Sequence, residues 1–96
     1  MPPKLLSEQE IAAKLSEVSQ WTLDGKNIVR KFKFKNFLES MGLVNKVAIL
    51  SEVMDHHPDI LIQWNKVTLT LSTHSAGGLT DMDFVLAKRI EAACST

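Results

Sequence analysis

The sequence predicts an α+β fold, in which a four-stranded antiparallel sheet carries helices on one face in the order αββαββα. Two observations lead to this prediction: stretches that alternate apolar and polar residues follow tight-turn signals, and segments with helical periodicity flank them. With 96 residues, of which 45% are hydrophobic, the chain has room for one core. We therefore expect a single domain over 1–96, with 1–6 frayed.

The first half of the chain is predicted to form a helix and a hairpin. Ser7 and Glu10 form a capping-box pattern that opens the helix. The predicted elements are a helix over 7–19, a strand over 21–23, a turn at 24–25 and a strand over 28–35. The last strand has an apolar face interrupted by Arg30, and an outer face of lysines: Lys31, Lys33 and Lys35. We interpret this lysine row as a solvated face or an edge guard in preference to the alternative, a phosphate site.

The longest helix is predicted over 36–56 and carries two apolar stripes. One stripe is Phe37, Met41, Val44 and Ala48; the other is Leu43, Val47, Leu50 and Met54. Together they are wider than the stripe that a surface helix needs to cover a core. We therefore expect this helix to form a homo-oligomer interface, with dimer and tetramer both open.

The second half of the chain is predicted to repeat the hairpin and end in a helix. Pro58 ends the long helix. Strands over 60–62 and 67–72 follow, joined by a turn at 64–66, and 74–78 form a loop. Thr80 and Asp83 form a second capping-box pattern that opens the last helix.

Composition and charge exclude several classes of protein. Eleven basic and eleven acidic residues cancel, which argues against a nucleic-acid binder that works by bulk charge. No apolar run approaches the length of a membrane span, and no signal-peptide pattern is found. The single cysteine, Cys94, favours a reducing compartment. We expect a soluble cytoplasmic protein.

Three histidines, His56, His57 and His74, lie at the ends of predicted elements. Glu52 precedes His56 by four residues, so its carboxylate could fix the tautomer of that imidazole. Imidazole, with an unperturbed pKa of about 6.5, can both give and take protons near neutrality. Several at one site could carry out an elimination. Histidines at helix ends also serve as caps, so the pattern alone leaves both interpretations open.

A metal site is the competing interpretation of the histidines. Glu52 and His56 have helical ligand spacing, and His74 could be a third ligand. His56 and His57 would point about 100° apart on a helix, so they would not easily share one ion. We therefore expect no metal.

The pattern Glu52-x-x-x-His56-His57-Pro58, followed by His74 and Asp83, resembles the pterin-4a-carbinolamine dehydratases. Segments 64–67 and 71–74, Trp21 and segment 32–34 look like the same family. The similarity covers nearly the whole chain, from about Ser7 to Glu91.

The resemblance implies a dehydratase without a cofactor. Its substrate would be a 4a-hydroxytetrahydropterin, and loss of water would give the quinonoid dihydropterin in tetrahydrobiopterin recycling. The catalytic residues would be His56, His57 and His74. His56 and His74 would transfer protons and His57 would mainly position the pterin, with an exchange of these roles left open. Glu52 would orient His56. The substrate-binding residues would be Glu52, Asp55, Ser72, Thr73, Ser75 and Asp83. For Asp83 the capping box is an equally good account, and for Trp21 and Trp64 we expect core roles.

The resemblance also implies partners. Animal members of the family serve as dimerisation partners of a homeodomain transcription factor. Ser75 and Met82 stand where those members carry an acid and an arginine, so this role is hard to transfer. The alternative function is a non-catalytic binding or assembly module of the same fold. The intact histidine pattern favours catalysis.

Overall fold

The structure is a computed structural model that describes residues 4–94, so part of the segment expected to be frayed, 1–3, lies outside it. It confirms the α+β class and the predicted order of elements. The elements are α1 (Glu8–Leu15), β1 (Thr22–Asp24), β2 (Asn27–Lys33), α2 (Phe37–Met54), β3 (Asp59–Gln63), β4 (Lys66–Leu71) and α3 (Asp81–Cys94). A single 3₁₀ turn, His74–Ala76, precedes α3.

The four strands form one antiparallel sheet in the order β1-β2-β4-β3. One face packs under the helices, and its central residues are buried: Ile28, Phe32, Val67, Leu69 and Leu71. The alternate residues of the same strands point to the other side. We call this side the open face; on β2, β3 and β4 its residues are Asn27, Val29, Lys31, Lys33, Asp59, Leu61, Gln63, Lys66, Thr68 and Thr70, all exposed or half-exposed.

Helix α2 covers the sheet with one side only. The Asn36 side chain caps its first turn by accepting from the Glu39 backbone N–H (2.9 Å). Leu43 and Val47 are buried against the core, as predicted for one stripe. The other predicted stripe is exposed in part: Phe37 and Ala48 are exposed, while Met41 and Val44 are half-buried. The most exposed large apolar residues of α2 lie outside both predicted stripes.

The exposed apolar side of α2 is formed by Leu38, Ile49 and Val53, which we call the α2 apolar face. These side chains are 80%, 66% and 73% exposed. They lie within about 60° of one another around the helix. No helix in the described part of the chain is both long and apolar enough to span a membrane.

Helix α1 is shorter than predicted but begins where the capping box indicates. Ser7 and Glu10 exchange both hydrogen bonds, 3.0 and 3.2 Å. The backbone N–H of Ser7 donates to the Glu10 carboxylate and so lowers the pKa of that carboxyl. Ahead of the cap, the Leu6 N–H donates to the Leu79 carbonyl (2.9 Å) and so joins the segment before α1 to the segment before α3.

The two tryptophans have different environments. Trp21 is buried, as expected, and its Nε1–H donates to Glu91 (2.9 Å). Arg30, which interrupts the apolar face of β2, also donates to Glu91 (2.7 Å) and so places its charge beside a carboxylate. The expected core role is wrong for Trp64, which is 65% exposed. It lies in the β3–β4 turn with a φ of 54°, while the adjacent Asn65 is buried instead.

Candidate active site

The C-terminus of α2 positions the two adjacent histidines. The helix ends at Met54, and Asp55 takes the left-handed conformation with a φ of 50°. The backbone N–H of His56 then donates to the Ser51 carbonyl (3.1 Å), which is the long bond of a Schellman-type end. His56 and His57 therefore lie beyond the helix, and their directions are set by this left-handed turn.

The turn corrects the predicted partner of Glu52. Helical spacing paired Glu52 with His56, but the Glu52 carboxylate accepts from Nε2–H of His57 (2.5 Å). The reason is that the chain has left the helix at Asp55, so the four-residue spacing no longer brings side chains together.

His56 turns inward and pairs with Asp83. Its Nε2–H donates to Oδ1 of Asp83 (2.6 Å), and the two side chains are only 9% and 0% exposed. A carboxylate can only accept, so Nε2 carries the hydrogen. In the neutral ring Nδ1 is then the unprotonated nitrogen, available to accept a proton.

The second oxygen of Asp83 is also fully engaged. Oδ2 accepts from the Thr73 hydroxyl (2.8 Å) and from the backbone N–H of Thr80 (3.0 Å), and the two threonine hydroxyls are 2.8 Å apart. Only one of the two hydrogen bonds of the predicted capping box is therefore present, the one from the Thr80 N–H to the Asp83 carboxylate. The Thr80 hydroxyl accepts from the N–H of Met82 instead of that of Asp83. We call His56, Thr73, Thr80 and Asp83 the buried wall. Within residues 4–94 no buried side-chain polar atom lacks a hydrogen-bond partner.

The opposite side of the site is accessible to solvent. His57 and Glu52 are 51% and 77% exposed at their side chains. His74, also exposed, opens the 3₁₀ turn that follows β4, and Gly77 closes that turn with a φ of 78°. We call His57, Glu52 and His74 the exposed wall.

One cleft of about 240 Å³ lies between the walls, lined by His56 and Thr73 from the buried wall and by His57 and His74 from the exposed wall. Its lining residues are Asn27, Asp55, His56, His57, Asp59, Thr70, Ser72, Thr73, His74 and Ser75. All three candidate histidines are therefore brought together. Of the expected substrate contacts, Glu52 and Asp83 are not in the lining; Asp83 is fully buried and supports His56 instead.

Sequence analysis missed three lining residues, Asn27, Asp59 and Thr70. They point outward from the open face where β2, β4 and β3 meet the cleft, and Asp59 pairs directly with Thr70. Strand alternation could have indicated their direction. Their convergence depends on the strand order, which local patterns do not specify.

The cleft combines groups that transfer protons with groups that accept hydrogen bonds. Three imidazoles can donate or accept protons, while the carboxylates of Asp55 and Asp59 can accept from N–H donors of a planar heterocycle. Although the histidines share one cleft, no group of three histidine, cysteine or acidic side chains within residues 4–94 is arranged so that it could hold one metal ion. The arrangement is suited to acid–base chemistry on a small polar ring.

Comparison with known proteins gives one family. A family model described as "Pterin 4 alpha carbinolamine dehydratase" matches residues 4–93. A protein of Sulfolobus acidocaldarius is 47% identical over 85 residues, which cover 88% of this chain and 93% of that protein. One of Picosynechococcus sp. is 52% identical over 82 residues, covering 85% and 89%. Both are provisionally named pterin-4-alpha-carbinolamine dehydratases.

Two solved structures are similar. A protein of Brucella melitensis, described as a transcriptional coactivator/pterin dehydratase, superposes with a TM-score of 0.86 at 37% identity, covering 91% of this chain and 95% of that one. A pterin dehydratase-like protein identified as a RuBisCO assembly factor in the alpha-carboxysome gives a TM-score of 0.64 at 25% identity, covering 76% and 87%.

Proposed function

Since the chain belongs to the pterin-4a-carbinolamine dehydratase family, we propose that it removes water from a 4a-hydroxytetrahydropterin to give the quinonoid dihydropterin. The observation that carries this proposal is the convergence of three imidazoles on one cleft of about 240 Å³. The reaction is an elimination and needs a proton donor and a proton acceptor, both of which imidazole supplies.

The elimination breaks the C4a–O bond and the N5–H bond and forms a C4a=N5 double bond, with water as the leaving group. We assign His56 as the base at N5–H. Asp83 keeps the hydrogen on Nε2, so Nδ1 can accept the proton, and the buried carboxylate stabilises the imidazolium that results. His74, on the exposed wall, is the acid that protonates the departing hydroxyl.

The remaining lining residues would hold the pterin ring. Asp55 and Asp59 offer carboxylate oxygens to the N3–H and 2-amino donors of the pyrimidine edge. His57, whose ring is oriented by Glu52, would pack against or bind the ring beside them. The backbone of Ser72 to Ser75 borders the same cleft and offers further polar groups.

The α2 apolar face supports the second part of the proposal, that the protein is a homo-oligomer through this helix. Large apolar groups are exposed side by side on it, and burial of such a patch is a common source of subunit affinity. Ile49→Glu/Val53→Glu should convert the assembly to monomers in sedimentation equilibrium. A wild-type protein that is monomeric at assay concentrations would contradict this part.

A non-catalytic assembly role is the alternative, since one solved relative is an assembly factor. Such a role needs an adhesive surface but not proton-transferring groups. The three-histidine cleft of this chain therefore supports catalysis, while the α2 apolar face is compatible with both.

A coupled assay tests the proposal. An aromatic amino acid hydroxylase generates the 4a-carbinolamine in situ, and the appearance of the quinonoid product is followed with and without the protein. We expect acceleration by the wild type and its loss in His74→Ala. Folded wild-type protein that gives no acceleration would reject the dehydratase and leave the assembly role.

A further inference from the structure

The open face of the sheet connects the histidine cleft with a second cleft. Three consecutive rows of outward side chains cross the strands: Asp59–Thr70–Val29, then Leu61–Thr68–Lys31, then Gln63–Lys66–Lys33. Asp59 and Thr70 of the first row line the histidine cleft. A second cleft of about 280 Å³ is lined by Lys31 and Thr68 of the second row and by all three residues of the third row. Because a strand rises about 3.4 Å per residue, successive rows are about 7 Å apart.

The second cleft is strongly basic. Lys31, Lys33 and Lys66 line it, and none of them takes part in an ion pair within residues 4–94. Other lysines within the same residues also lack an ion pair, so the distinguishing feature of these three is that they line one cleft. We call the three unpaired side chains the lysine cluster.

The position of the lysine cluster needs an explanation. Lysines protect the edges of sheets from further pairing. This can account for Lys31 and Lys33, because β1 pairs only with residues 27–29 and leaves the rest of β2 as an edge. It does not account for Lys66, which has β2 on one side and β3 on the other. Lys33 and Lys66 are directly opposed across the strands. Like charges in such pairs are destabilising. An anion bound between them would offset that repulsion.

The two ends of the open face have opposite charge. The histidine cleft presents the carboxylates of Asp55 and Asp59, whereas the far rows present three ammonium groups. Apart from Asp59 and Lys31, the first two rows contain only uncharged residues: Val29, Leu61, Thr68 and Thr70. Leu61 is 53% exposed. A ligand that matches this surface has N–H donors at one end, a neutral linker, and negative charge about 7 to 14 Å further along.

We propose that the protein takes pterins that carry an anionic tail. The ring lies in the histidine cleft, and the tail crosses the open face so that its carboxylate or phosphate groups meet the lysine cluster. This inference rests on the proposed function and extends it from the pterin ring to the substituent. The ammonium groups supply charge-assisted hydrogen bonds to either kind of anion.

Competitive inhibition of one common reaction tests the proposal. The substrate is a 4a-carbinolamine with a neutral side chain, and the inhibitors are 6-hydroxymethyl-7,8-dihydropterin, its phosphate monoester and 7,8-dihydrofolate. We expect at least one anionic inhibitor to bind about tenfold more tightly than the neutral one, the combined effect of two exposed charge contacts. The phosphate and carboxylate arms show which anion the lysine cluster prefers. The advantage should shrink in about 0.5 M NaCl, because exposed charges are screened there.

Matched variants locate the effect. Lys33→Gln/Lys66→Gln should abolish the advantage of the anionic inhibitors while leaving turnover of the neutral substrate unchanged. Lys4→Gln/Arg89→Gln removes the same charge from residues outside the sheet and should retain the advantage. Lys31→Gln alone should reduce the advantage in part.

The outcomes separate this inference from the proposed function. Turnover with equal inhibition by all three compounds would overturn the anionic tail and leave the dehydratase intact. If both double variants lose the tighter binding of the anionic inhibitors to the same extent, the effect is due to net charge. That result would also overturn the proposed role of the lysine cluster. Absence of any turnover by folded protein would overturn both.

Discussion

The buried wall and the exposed wall of the cleft present the same chemical group in opposite environments. His56 is 9% exposed and is bonded to a carboxylate that water does not reach, while His57 is 51% exposed and is bonded to a carboxylate that is itself 77% exposed. A buried charged or polar group is costly when it loses its partner, whereas an exposed pair contributes little. Substitutions in the buried wall should therefore lower both the activity and the free energy of unfolding. Substitutions in the exposed wall should lower the activity alone.

His56→Ala should give the largest combined effect. It removes the proposed base, so kcat should fall by about 10²–10⁴. It also leaves the buried Asp83 carboxylate without its imidazole, which should lower the free energy of unfolding by about 3 kcal/mol. Steady-state kinetics and urea unfolding measure the two effects. A fall in kcat with no change in the free energy of unfolding would show that the buried wall does not stabilise the fold.

His74→Ala should separate the two effects. The proposed acid is lost, so kcat should again fall by about 10²–10⁴. Because His74 is exposed, the free energy of unfolding should change by less than about 0.5 kcal/mol. The same two measurements apply. Equal destabilisation by His56→Ala and His74→Ala would remove the contrast between the walls.

Asp83→Asn should affect the chemistry through His56. The amide has one oxygen where the carboxylate has two, so it cannot accept from His56, Thr73 and the Thr80 N–H without placing its NH₂ against a donor. We expect kcat to fall by about 10–10² with little change in KM, and stability to fall by about 2 kcal/mol.

Asp81→Asn is the matched control for that variant. Its carboxylate is 70% exposed and pairs with Lys14, so both kcat and stability should stay close to wild type.

The nitrogen-15 chemical shifts of the His56 ring provide a second readout for Asp83→Asn, one that a purely structural role of Asp83 would not change. The neutral ring should carry its hydrogen on Nε2 in wild type and change tautomer in Asp83→Asn; an unchanged tautomer would argue against the positioning role of Asp83.

Glu52→Gln should give the smallest effect. The exposed hydrogen bond to His57 is screened by water, and glutamine can still accept from that ring. We expect kcat/KM to fall by less than about fivefold and stability to stay within about 0.5 kcal/mol. Glu17→Gln, which removes the exposed pair with Lys88, is the control. A loss as large as that of Asp83→Asn would mean that the exposed wall is as tightly organised as the buried one.

Local sequence patterns predict the elements of this fold well, because the signals act over a few residues. The Ser7–Glu10 capping box and the alternation of 67–72 are examples. The candidate histidines could be found in the same way, since element ends are visible in the sequence.

The pairings inside the site could not be predicted, because they depend on contacts distant in the chain or on one backbone angle. His56 and Asp83 are 27 residues apart. Asp55 has a positive φ, which aspartate adopts more readily than most residues but which the sequence does not require. The resulting exchange of Glu52 from His56 to His57 therefore could not be predicted. The strand order, which brings Asn27 and Thr70 to the cleft, is likewise a property of the whole sheet.

The most direct test of the account is the rate of carbinolamine dehydration by the wild type, His56→Ala, His74→Ala and the double variant, each shown to be folded. If the two histidines act in one elimination, the wild type accelerates dehydration and each single variant loses most of the acceleration. The rate with the double variant should then be only slightly below that with the less active single variant, because the effects of groups that act as a unit are not additive. A folded wild type without acceleration, or a double variant that retains it in full, would contradict the account.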